Sequence, residues 1–155
     1  MAPEHPRSPS SASNLRSRAL RLLARREFGS AELRSRLLQT HPSPGEIDAL
    51  LEELRQQQWL DDARAARQRA ELWHRRGYGP KRAELDLHQR GFDESLVAHI
   101  VAEVFADAAE QARQLVQTRF PGSPGEPRAR ARAARFLLRR GFAEDLVVAI
   151  LGEAC

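Results

Sequence analysis

Six guanidinium groups fall within 13 residues near the end of this 155-residue chain: Arg128, Arg130, Arg132, Arg135, Arg139 and Arg140, with no acid among them. A guanidinium presents a flat fork of donors that matches the paired oxygens of phosphate and carboxylate. Such a density of them grips a polyanion; it does not activate a water or attack a carbonyl. A second basic stretch lies in the middle of the chain, where Arg64, Arg67, Arg69, Arg75, Arg76, Lys81 and Arg82 stand against only Glu71 and Glu84, with Arg90 just beyond. Acids are sorted elsewhere. Residues 46–62 hold six acids and one arginine, residues 93–110 five acids and no Lys or Arg, and residues 141–155 three acids and no Lys or Arg. The candidate site is therefore a basic face of Arg75, Arg76, Lys81, Arg82, Arg90, Arg128, Arg130, Arg132, Arg135, Arg139 and Arg140. It would track phosphates or an acidic protein groove. The competing reading is a solvated surface whose arginines pair with acids of neighbouring helices. Within 128–140 that reading lacks the local acids it needs. Arg25-Arg26 and Arg75-Arg76 each close a helix, where a cation is stabilised by the macrodipole whatever its partner.

Other reactive side chains are not arranged for catalysis. The histidines at 5, 41, 74, 88 and 99 form no HExxH and no ligand spacing with Cys or clustered acids. Asp61-Asp62 reads as helix capping, because adjacent residues at a helix start do not face one site. Gly77-x-Gly79 lacks the third glycine and the Lys-Ser/Thr of a phosphate loop, and no Gly-x-Ser-x-Gly is present. Cys155 has no base fixed beside it. The reading is of a protein that is not an enzyme and takes no cofactor and no metal.

The elements that carry these residues repeat. Leu37, Leu87 and Leu137 stand in register at a spacing of 50, as do Ile47, Val97 and Val147, and Leu50, Ile100 and Ile150. Arg25-Arg26-x-Phe28-Gly29-Ser30 returns as Arg75-Arg76-x-Tyr78-Gly79-Pro80, and Arg90-Gly91-Phe92 returns as Arg140-Gly141-Phe142. A fixed period of this length marks a repeat architecture, in which each unit buries its apolar face partly against its neighbours. Apolar residues recur at helical spacing throughout and nothing alternates with period two. The fold expected is all-α: an elongated, curved array of three tandem three-helix repeats with a period of about 50 residues. The boundaries are 14–60, 61–106 and 107–155, after a disordered tail over 1–13 with three prolines and four serines.

Local signals place the helix ends. Ser30 is expected to cap the second helix. Ser43-Pro44-Gly45-Glu46 and Asp107-x-x-Glu110 read as capping boxes, Asp93 opens another helix, and Pro121–Pro127 is a loop. Phe28, Tyr78, Phe92 and Phe142 flank glycines and plug helix corners, Trp73 reads as core, and Trp59 is open to either reading.

Composition bounds the class. Hydrophobic residues make up 41% and charged residues 30%, with a net charge of +4, as in a folded protein with much exposed helix. Lys81 is the only lysine, a bias that fits polyanion binding and equally a GC-rich coding sequence. A single cysteine points to a reducing compartment. Residues 1–13 lack the apolar stretch of a signal peptide, and the longest apolar run, Leu146–Leu151, is too short to span a membrane. A cytoplasmic monomer without membrane contact is expected.

Three stretches stand out together: Leu60-Asp61-Asp62-Ala63-Arg64-Ala65-Ala66; Arg76-Gly77-Tyr78-Gly79-Pro80-Lys81-Arg82 with Leu87 and Arg90-Gly91-Phe92; and Arg135-Phe136-Leu137-Leu138-Arg139-Arg140-Gly141-Phe142. They resemble the RecX family, bacterial regulators of the RecA recombinase. The opening Ala19-Leu20-Arg21-Leu22-Leu23-Ala24-Arg25-Arg26 is similar too, so the resemblance runs over about 15–151. This chain departs from the family pattern at Ala65, where an aromatic is usual, at Gln58, often glycine, and at Asp86, commonly Glu. The resemblance implies three tandem three-helix repeats. It also implies binding of the RecA filament, with single- or double-stranded DNA in or beside it, and inhibition of strand exchange, ATP hydrolysis and coprotease activity. Two other readings stand beside it. One is a general nucleic-acid-binding helical repeat. The other is a protein-interaction module, since Arg-Gly-Phe-Ala-Glu-Asp-Leu at 140–146 resembles ubiquitin-associated three-helix units.

Overall fold

The computed structural model describes residues 9–152, with side chains from Ser11 onward. Among the described residues the chain forms nine α-helices and no strand: α1 Pro9–Arg25, α2 Ser30–Leu38, α3 Pro44–Gln56, α4 Asp62–Arg75, α5 Pro80–Gln89, α6 Glu94–Val104, α7 Ala108–Arg119, α8 Pro127–Arg139 and α9 Glu144–Gly152. They make tandem three-helix repeats. No helix among the described residues is long and apolar enough to cross a membrane. The tail expected over 1–13 is corrected in part. Residues 9–13 belong to α1, because proline suits a first helical turn and nothing before Leu15 breaks the helix; residues 1–8 lie outside the described residues. By contact the chain divides into two compact units, Met1–Ala65 and Ala66–Cys155.

In the first unit, residues spaced three and four apart build one core. Leu15 and Ala19 of α1 meet Leu33 and Leu37 of α2 and Ile47, Leu50, Leu51 and Leu54 of α3, with Phe28 and Leu60 closing the corners. Ser30 does not cap α2. Gly29 holds the N-cap position and Ser30 is the first helical residue. Its backbone N–H and its hydroxyl both donate to Asp62 Oδ1, at 2.7 and 2.8 Å. The adjacent Asp61 accepts from the Arg64 N–H at 3.0 Å. The Asp-Asp pair thus caps two different helices, each carboxylate meeting donors that a helix start leaves unsatisfied. The capping box expected at Ser43 is not formed. Ser43 is the N-cap of α3 but makes no side-chain cap bond, and Glu46 pairs with His41. After α3 the chain turns through Gln58 at φ +62°, the left-handed region, so that the Trp59 and Leu60 N–H groups both reach the Leu54 carbonyl at 3.0 and 3.2 Å.

In the second unit, Ala66 and Ala70 of α4, Ala83 and Leu87 of α5, and Val97, Ile100 and Val101 of α6 are buried with Phe92 and Phe105. Ala112, Val116, Ala133, Leu137, Phe142, Val147 and Leu151 form a further cluster across α7, α8 and α9. Asp93 caps α6 as expected, accepting from the Leu96 N–H. Asp107 precedes α7 but makes no cap bond; its carboxylate lies 2.8 Å from His74 Nε2. The local box loses to a partner 33 residues away.

Two glycine turns meet within this unit. The Gly79 N–H donates to the Arg140 carbonyl at 2.7 Å, and the Lys81 N–H donates to the Gly141 carbonyl at 3.0 Å. The second bond satisfies a first-turn donor of α5. The backbones approach so closely that a Cβ on Gly79 would sit 2.5 Å from the Gly141 carbonyl carbon. Gly141 itself is at φ +93°. The Arg140 guanidinium clips the same junction, donating to the Arg76 carbonyl at 2.9 Å.

Gly79→Ala is expected to lower stability by about 1–3 kcal/mol, the range for overpacking, and towards its upper end because the obstacle is backbone. Gly125→Ala, with nothing within 4 Å of the added methyl, should change it little; urea denaturation of both variants checks this. Gln58→Gly should raise stability by roughly 0.5–1 kcal/mol, since glycine removes the left-handed penalty but adds unfolded-state freedom. Equal or lower thermal stability of that variant would contradict the strain argument.

Candidate functional site

The ion pairs sort the arginines into two groups. Arg64 binds Glu27 at 2.6 Å, Arg67 binds Glu103 at 2.7 Å, and Arg69 binds Asp86 at 2.7 Å. Three of the seven cations of the middle basic stretch are thus neutralised by acids elsewhere in the chain, as the solvated-surface reading requires. Arg90 is half-buried against Asp86, 3.2 Å away. Arg130 is half-buried and donates to the Pro124 carbonyl. Arg140 holds the glycine junction. These three belong to the packing of the unit: Arg130 and Arg140 answer to carbonyls outside their own helix, while Arg90 pairs one turn back on α5.

Helix α8 is different. Arg128, Arg132, Arg135 and Arg139 are all exposed and, at ~100° per residue, fall within about 60° of arc. They form one row of about 16 Å along the helix axis. Among the described residues none of the four has a carboxylate partner. The N-terminal end of the helix runs against its own electrostatics, whereas Arg139 in the last turn is favoured by them. The first turn holds Arg128 and Arg130 and no acid, although cations near a helix N-terminus are unfavourable by roughly 0.3–1 kcal/mol each. Packing explains the opposite face of Ala129, Ala133 and Leu137; it does not explain the row. Arg75, Arg76 and Lys81 are exposed as well, at the end of α4 and the start of α5.

Between these two basic surfaces runs a series of half-exposed rings and guanidinium groups. Arg82 lies over Trp73 at 5.0 Å, and Trp73 meets Tyr78 edge-on at 5.0 Å. Arg140 sits over Tyr78 at 4.5 Å and over Phe136 at 4.9 Å. Arg119, which the sequence reading missed, lies over the other side of the series at Phe136, 5.2 Å away. Its signal was its place in the last turn of α7, next to Phe120. Such contacts are worth about 0.5–1 kcal/mol when exposed and more when dry. Trp73, expected as core, is half-buried; its Nε1–H donates to Asp86 at 3.0 Å. Phe28, Phe92 and Phe142 are buried corner plugs as expected, while Tyr78 is half-exposed. Trp59 is 56% exposed.

Asp86 organises this surface. Burial raises its acidity constant's pKa, but hydrogen bonds from Arg69 and Trp73 and the charges of Arg69 and Arg90 outweigh that and hold it below the usual carboxylate range.

A family model described as "RecX, third three-helix domain" matches residues 106–151. The protein named Regulatory protein RecX of Halorhodospira halophila is 37% identical over 141 residues, covering 90% of this chain and 88% of its own. The chain belongs to the RecX family. Regulatory protein RecX of Pseudomonas fluorescens is 36% identical over 138 residues, 88% of this chain and 89% of that one. A crystal structure of RecX from Lactobacillus salivarius superimposes with a TM-score of 0.82 over 95% of this chain and 98% of that chain, at 19% identity, which establishes the all-α repeat fold. The RecX stretch from Arg76 to Arg82 thereby acquires a structural meaning: its glycines and Lys81 backbone make the junction described above.

Asp86→Asn is expected to reduce stability at neutral pH by about 1–3 kcal/mol, the range for hydrogen bonds to a charged group. Because the folded-state pKa is depressed, the carboxylate's contribution is present above its unfolded pKa of about 3.9 and fades as pH falls through the folded value. The gap between wild type and variant should therefore shrink below about pH 4. A gap that is unchanged from pH 7 to pH 3 in chemical denaturation would show that the charge is immaterial.

Proposed function

We propose that this chain binds the RecA filament on DNA and modulates, mainly inhibits, its recombinase, ATPase and coprotease activities, in DNA repair and the SOS response. Membership of a family of regulatory proteins named for RecX supports the partner. The observation that carries the contact is the row Arg128, Arg132, Arg135 and Arg139, exposed and without carboxylate partners among the described residues. Arg75, Arg76, Lys81 and Arg82 extend the basic surface on α4 and α5. Expected boundaries of 14–60, 61–106 and 107–155 make each repeat one contact of a multivalent ligand. Several weak contacts in one chain raise each other's effective concentration, so inhibition should set in well below one molecule per RecA, while naked DNA is bound weakly. A general nucleic-acid-binding repeat would instead bind naked DNA tightly, with affinity falling steeply with salt.

Titration of RecA ATPase on single-stranded DNA tests the reading, with Arg132→Glu, Arg135→Glu and Arg139→Glu combined in one variant. Wild type should inhibit, and the triple variant should lose inhibition at least tenfold while its circular dichroism is unchanged. Full inhibition by the variant would remove α8 from the contact, and none by wild type would remove RecA as the target.

A further inference from the structure

Beside the arginine row, α8 and α9 enclose an open, mainly apolar groove of about 330 Å³ lined by Pro127, Ala131, Ala134, Val147, Val148 and Leu151, with Arg130 at its edge. Val148 is 61% exposed, and Leu138, 45% exposed, lies on the same flank of α8 by helical spacing. Single exposed apolar residues are ordinary. What singles out this groove is its comparison with the other two repeats. At the spacing of 50, Ala134 corresponds to Arg34 and Glu84, and Val148 to Asp48 and Ala98. In the first repeat Arg34 and Asp48 close the slot with an ion pair at 2.8 Å. In the second, Lys81, Glu84 and His88 take the places of Ala131, Ala134 and Leu138, and Glu84 and His88 lie 3.8 Å apart. Ala31 and Leu38 of the first repeat match Ala131 and Leu138, and Ala98 of the second stands at the place of Val148, but the facing pair 134 and 148 is apolar at both positions only in the third copy. That third copy also carries Arg128 and Arg135 on the flank nearest the groove, without carboxylate partners among the described residues.

We propose that the α8–α9 groove docks an acidic amphipathic helix of a protein partner, its apolar side chains over Ala134 and Val148 and its carboxylates on Arg128 and Arg135. A phosphate backbone would use the arginines but has no use for the apolar groove. A helix with apolar residues at i, i+3, i+4 and i+7 and acids beside them uses both. Charge and surface are complementary only for that occupant, so the end of the third repeat contacts protein rather than DNA. The proposal rests on the filament reading only for which protein supplies the helix.

Two measurements on the full chain decide it. The first uses an 18-residue synthetic helix with Leu on one face and Glu beside it, and a copy with Lys in place of Glu, followed by fluorescence anisotropy. The acidic peptide should bind wild type, and the Lys copy should not. Binding should weaken at least tenfold in Val148→Glu and in the double variant Ala134→Arg with Val148→Asp, which installs the ion pair of the first repeat and so keeps a pairing this backbone already accommodates. The second places a photo-crosslinking residue at 148 on the RecA filament; the adduct should be to protein. Absence of acidic-peptide binding, undiminished binding by both variants, or an adduct to DNA would overturn the proposal. Peptide binding in the groove without any association with RecA would leave the proposal standing and defeat the filament reading.

Discussion

The second unit depends on a contact that only glycine allows. Where the turn before α5 meets the turn after α8, two backbone hydrogen bonds and the Arg140 clip join segments about 60 residues apart in sequence. A methyl group on Gly79 would occupy the space of the Gly141 carbonyl. The consequence extends beyond the turn. Tyr78 and Arg140 are brought face to face, Phe136 is carried along by α8, and the arginine row acquires a fixed place relative to Lys81 and Arg82. The same bond gives α5 an acceptor for a donor that its own N-cap, a glycine without a side chain, leaves unmet.

Charge in this protein is abundant, and part of it is occupied. Exposed pairs such as Arg16–Glu53, Arg64–Glu27 and Arg67–Glu103 are screened by solvent and contribute little, so they are not what holds the fold together. Their effect is on availability: an arginine engaged by an acid on a neighbouring helix is a poor phosphate ligand. The acids that engage Arg64, Arg67 and Arg69 come from the loop before α2, from α6 and from α5, which is why part of the dense run at 64–82 is less available than its composition implies. Helix α8 escapes because α9, its partner in the core, presents acids only in its first turn.

The parts of the fold that were legible in the sequence are those set by local period. Leu37, Leu87 and Leu137 are each wholly buried, as equal spacing on equivalent helices demands. Helix starts at Pro44 and Pro80 and the Asp93 cap followed from a residue type and its next few neighbours. The errors have a common origin. Ser30, Ser43, Asp107, Arg90 and Arg140 were read from nearby residues, but four of them answer to other elements of the fold or to groups outside their own motif: Asp62 for Ser30, His74 for Asp107, and Arg76 for Arg140, while Glu46 turns from Ser43 to His41. Arg90 is the local exception, paired one helical turn back with Asp86. Long-range competition for a polar group is invisible to motif spacing.

Internal repetition supplies a control that a single domain lacks. Three copies of one helical plan face the same packing demands, so a position with the same character in all three is explained by packing. Positions 37, 87 and 137 behave that way. Positions 34, 84 and 134, and likewise 48, 98 and 148, do not: an Arg–Asp ion pair, a Glu and an Ala, and two apolar residues occupy the same slot. The slot itself therefore imposes no composition, and the fold tolerates a charge pair there without an apolar alternative. An apolar choice that leaves Val148 mostly in water gains nothing for the monomer, since burial is what rewards apolar area. A partner that removes that surface from water would supply the reward that the monomer lacks.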